Sequence, residues 1–163
     1  MMNKIKSFFQ EKLNSVIFMW IGVFIAIVAV LLMFAPGLVV SARTYSSAVL
    51  FWNRPGAAFP NGAWPVFVGY MLILVGALIM GIIALPIVTI QVKAEKICLI
   101  SAISAIAIGA ILIMCIRPIL VGCNPNSAAL ANLIDCKPAP YIAGVFALLA
   151  AGCGGAALAY DWE

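Results

Sequence analysis

The stretch Leu13–Ala42, LNSVIFMWIGVFIAIVAVLLMFAPGLVVSA, decides the fold: its 30 residues carry no formal charge between Lys12 and Arg43. A bilayer core about 30 Å thick takes roughly 20 apolar residues of helix, so this run is long enough for one crossing. It is apolar continuously rather than at alternate positions. In lipid every backbone polar group must be satisfied within the segment, which leaves a helix as the reading. A signal-peptide core has about 7–15 apolar residues, so the run is expected to be a retained anchor even though Val40-Ser41-Ala42 looks like a cleavage site.

Three further gaps repeat the pattern. Arg54 and Lys93 bracket 38 uncharged residues, Lys96 and Arg117 bracket 20, and Lys137 and Asp161 bracket 23. The predicted spans are Val16–Val40, Trp64–Val92, Ile97–Val121 and Tyr141–Tyr160. The second, helical throughout, would be about 43 Å long at 1.5 Å per residue. It must tilt, kink or protrude, and Pro86 is the natural kink.

Composition agrees. The chain has 163 residues, 66% hydrophobic and 9% charged, with mean hydropathy +1.22. Soluble domains carry about 25% charged residues, so a water-soluble globule is excluded, and disorder is excluded by the same figures. The expected fold is an all-α integral membrane protein: one domain over 1–163, an antiparallel up-down four-transmembrane-helix bundle with two extracytoplasmic loops.

Four spans put both termini on one side. Lys4, Lys6, Lys12, Lys93 and Lys96 lie there, against Arg43, Arg54, Arg117 and Lys137 opposite. Three lysines precede the first helix, which usually dominates orientation. Cys123 and Cys136 flank a polar loop with 12 residues between them, a placement that suits a disulfide on an oxidising side. Both termini are therefore expected in the cytoplasm, with loops 41–63 and 122–140 outside and the second closed by the Cys123–Cys136 bridge. Such a bridge would stabilise its loop by about 3 kcal/mol.

The first loop contains the turn signals Asn53-Arg54-Pro55-Gly56 and Pro60-Asn61-Gly62, flanked by Trp52 and Trp64, which suit headgroup depth. In the second loop, Asn126 or Ser127 is expected to cap a short helix through Ile134. Met1–Leu13 reads as a short interfacial helix, with Ile5, Phe9 and Leu13 on one face and Lys4, Lys6 and Lys12 placed for lipid phosphates.

The fourth span carries Ala143, Ala147, Ala151, Gly155 and Ala159 at intervals of four, widened by Gly144, Ala150, Gly152, Gly154 and Ala156. Helices in lipid associate by close packing, which small residues permit. The third span offers Ser101, Ala105 and Gly109 at the same spacing. These stripes are expected to pack helices within the bundle, and also to join the chain to a second copy or to a larger membrane complex.

Chemistry has few parts to work with. There is no histidine, the commonest metal ligand and general base. No Asp, Glu or Lys falls inside a span; Glu11, Glu95, Asp135, Asp161 and Glu163 all lie outside or at the ends. Ion-coupled transport usually marks its path with an ionisable group in the span, so a small multidrug-type antiporter is disfavoured. Four-helix thiol oxidases need a CxxC pair, which is absent, and Cys98, Cys115 and Cys153 are scattered. No Gly-x-Ser-x-Gly, His-Glu-x-x-His or P-loop occurs. No enzyme activity, metal or cofactor is expected. Basic residues are too dispersed for nucleic acid.

Four spans with two outer loops resemble claudins, tetraspanins and MARVEL proteins in layout alone. The first loop lacks the claudin cysteine pair, and the second lacks a Cys-Cys-Gly. The layout implies adhesion or assembly without catalytic groups. The expected function is a non-catalytic assembly or accessory subunit whose partners are lipid and other membrane helices. Arg43, Arg54, Arg117, Trp52 and Asn126 would present an outer contact for an anion or a protein. Two alternatives remain. One is a small channel or facilitator for a neutral or anionic solute, lined by Ser101, Ser104, Thr89, Tyr70 and Arg117. The other is a lipid-acting enzyme built on Asp135 with Arg117 or Lys137.

Overall fold

The computed structural model describes residues 2–40, 43–48, 63–85, 92–123 and 134–160. In chain order these form α1 (Met2–Leu31), a 3-10 turn (Leu32–Phe34), β1 (Pro36–Val40), β2 (Arg43–Ser46), α2 (Trp64–Ile83), α3 (Val92–Met114), α4 (Ile116–Cys123), β3 (Ile134–Cys136) and α5 (Ala139–Tyr160). Four segments are long and apolar enough to cross a membrane: Leu13–Phe34, Trp64–Ile83, Lys93–Met114 and Ala139–Tyr160. This mostly helical architecture is compatible with a multi-pass membrane protein.

Proline sets most helix ends. Pro65 and Pro140 lie in the first turns of α2 and α5, where a missing N–H costs nothing. The residue before a proline is driven away from helical geometry. Ala35 accordingly takes φ −71°, ψ 158° before Pro36. The first span thus ends at Phe34, not Val40, and its last residues become strand β1. Likewise α2 closes at Ile83 with Ala84 as its cap, three residues before Pro86. Pro86 itself lies outside the described residues. A 20-residue helix is about 30 Å long and fits a bilayer without the expected kink. Pro118 divides the third span: its ring displaces the carbonyl four residues back, that of Met114, which is where α3 stops. The flanking bonds survive, with the Cys115 N–H donating to Ile111 O at 2.9 Å and the Ile119 N–H to Cys115 O at 3.1 Å.

The helices close into a ring. α2 packs on α3, α3 on α5, α5 on α1 and α1 on α2. Neighbours run antiparallel. Gly69 meets Gly109 while Gly76 meets Ala102, and Gly22 meets Ala150 while Ser15 meets Ala157. Residue numbers rise on one helix as they fall on the next.

A small sheet caps one end, in the order β2-β1-β3. β1 pairs antiparallel with both partners, Leu38 opposite Tyr45 on one side and Cys136 on the other. The Lys137 N–H donates to Gly37 O at 3.0 Å. Because β1 follows α1 and β3 precedes α5, this sheet continues the α1–α5 contact beyond the helices. An all-helix reading has no place for it, since β1 was assigned to the first span and β3 to a loop.

Candidate functional site

At the helix seams glycines bring backbone against backbone. At the α2–α3 crossing Gly69 and Gly109 face each other. A Cβ on Gly109 would lie 2.5 Å from Gly69 O, and one on Gly69 would lie 2.9 Å from Gly109 O. A Cβ on Gly76 would come within 2.8 Å of Ala102 O. On the α1–α5 seam, Gly22 leaves only 3.1 Å between such an atom and Ala150 O. Backbone touches backbone at each crossing, and in lipid dispersion contacts of this kind carry most of the association.

The α5 stripe does not lie along one face. A step of four residues on a helix of 3.6 per turn advances about 40°, so four such steps drift by about 160°. Ala143, Ala147 and Ala151 are buried within the bundle, whereas Gly155 and Ala159 are exposed. The buried seam runs instead through Ala143, Ala147, Ala150, Gly154 and Ala157. Its alternating steps of four and three give a 3.5 period. Gly144 packs on Met114, and a Cβ on Gly154 would sit 2.7 Å from Ile103 Cγ1. By contrast, nothing lies within 4 Å of a Cβ built on Gly152 or Gly155.

On α3 the residues Ser101, Ala105 and Gly109 also diverge. Gly109 turns to α2, Ala105 is half-buried, and Ser101 is exposed. The Ser101 hydroxyl donates to Cys98 O of its own helix at 2.8 Å. Ser104 is exposed as well. Tyr70 is fully buried, with its hydroxyl facing Ser47 at the end of β2. Ser101, Ser104 and Tyr70 therefore border no common path. Thr89 lies outside the described residues.

One hydrogen bond and one ring stack tie the first apolar segment of α1 to the end of α5. The buried Ser15 hydroxyl donates to Ala157 O at 3.1 Å. Phe18 stacks on Tyr160 with ring centroids 5.4 Å apart and planes 13° from parallel. Sequence spacing gives no hint of either contact, because the partners are about 140 residues apart.

At the cap, the expected Cys123–Cys136 disulfide is not formed. All five cysteines are separate thiols. Cys123 ends helix α4, while Cys136 is held in β3 by its register opposite Leu38. A loop spacing that permits a bridge does not bring the sulfurs together when each end belongs to its own element. Cys136 instead pairs with the Tyr141 hydroxyl. Burial pushes its thiol up from the ordinary value, opposed by the Tyr141 hydrogen bond and by Arg117, while Asp135 adds to the rise. Arg117 is exposed on α4, one turn past the end of the third span, and shares this rim with Asp135 and Tyr141. It is not at the bundle centre. Arg43 is in β2, in register with Val40. Arg54, Trp52, Asn126 and the expected helix from Asn126 to Ile134 fall, up to residue 133, outside the described residues; Ile134 opens β3. No group of three or more metal-ligating side chains occurs among the described residues.

The geometry defines a class: a four-helix, membrane-type bundle with glycine-tight seams and a three-stranded cap. No family model matches the chain, and no curated protein or solved structure matches it.

Proposed function

We propose that the protein is a non-catalytic tetraspan membrane protein that assembles laterally, with itself or within a larger membrane complex, as a structural or accessory subunit. The observation that carries this is the exposed small face of α5. Gly152 and Gly155 open onto empty space, next to exposed Ala159. An exposed helical glycine costs about 0.5–1 kcal/mol relative to alanine, and no contact within the bundle requires these two. A neighbouring helix approaching backbone to backbone would use them. Ala150 and Ala157 already meet α1, and Gly144 and Gly154 already meet α3. Placement of Tyr70 in the core and of Ser101 and Ser104 on the outside supports assembly over solute passage.

In this reading both termini are cytoplasmic and the sheet-bearing loops lie outside. The argument rests on Lys4, Lys6 and Lys12 ahead of the first span and on Lys93 and Lys96 at the start of α3, since the cysteines supply no disulfide. The cap then presents the recognition surface. The test is a double variant measured by native mass spectrometry in mild detergent. Gly152→Leu with Gly155→Leu should shift the population to monomer. Retention of the wild-type stoichiometry by a folded double variant would remove this face as the interface.

A further inference from the structure

We draw no further inference here: the strongest candidate, the apolar groove of about 200 Å³ on the α1–α5 seam lined by Phe24, Ile25, Val28, Phe146 and Leu149, carries nothing because nothing in the structure shows what covers it.

Discussion

Replacing Gly109 and Gly155 separately with alanine adds the same methyl group to two helices and should produce opposite results. At Gly109 the new Cβ would stand 2.5 Å from Gly69 O, 2.8 Å from Ile73 Cγ1 and 3.3 Å from Ile73 N. Two of these are backbone atoms, which cannot rotate aside. Restoring an ordinary contact near 3.4 Å requires α2 and α3 to part by about 0.9 Å. A radial gap of 0.5–1 Å forfeits roughly a quarter to a half of each contact along the seam. Overpacking of this kind costs about 1–3 kcal/mol, and the backbone obstruction argues for the upper end. Alanine's better helix propensity returns about 1 kcal/mol, leaving a net loss of about 2 kcal/mol. At Gly155 nothing opposes the methyl group, so only the propensity gain of up to about 1 kcal/mol remains. With about 2–4 °C per kcal/mol for a chain of this size, Gly109→Ala should lower the melting temperature in detergent by about 4–8 °C. In the dissociated monomer Gly155→Ala should leave it unchanged or raise it. A Gly109→Ala protein as stable as wild type would mean that the α2 and α3 backbones do not touch at this crossing.

Other seams and the cap yield further expectations. Ser15→Ala removes the hydroxyl bound to Ala157 O and should cost about 0.6 kcal/mol, the average for hydrogen bonds between membrane helices; a thermal melt showing a gain would count against that contact. Pro118→Ala restores a donor for Met114 O and should join α3 to α4 in one helix, read as added helical signal by circular dichroism; an unchanged spectrum would place the cause of the break elsewhere. Cys123 and Cys136 should both be labelled by a maleimide in unfolded protein without prior reduction, whereas labelling only after reduction would restore the bridge. In the folded protein, Cys136 should react slowly at neutral pH, with its rate rising only above the ordinary thiol value. Burial raises its pKa, so the thiol form persists; the associated stability is complete below the unfolded value and is lost as pH climbs through the folded one. A reaction midpoint at or below the ordinary value would contradict the burial.

The four long apolar helices were legible in number because partition into lipid is nearly a local property. An uncharged run such as Leu13–Ala42 carries its own reason to leave water, whatever it later touches. Helix ends are also local, and Pro36, Pro65, Pro86, Pro118 and Pro140 all stand at or within a few residues of one. Reading Pro86 as a kink rather than a stop misjudged the length of the second span, not its existence. Side-chain facing was beyond local reading. Both faces of a membrane helix are apolar: Trp20, Phe24 and Ile27 are exposed on the same helix that buries Met19, Val23 and Ala26. Hydropathy cannot separate them, and a four-residue stripe drifts off any seam that repeats every 3.5 residues. Only contact between helices decided that Ala150, Gly154 and Ala157 go inside while Gly155 and Ala159 stay out. The sheet joining β1 to β3, the Ser15–Ala157 bond and the separation of Cys123 from Cys136 are likewise matters of tertiary structure. Each depends on which distant segments the closed ring of helices brings together, and residue spacing along one chain holds no record of that.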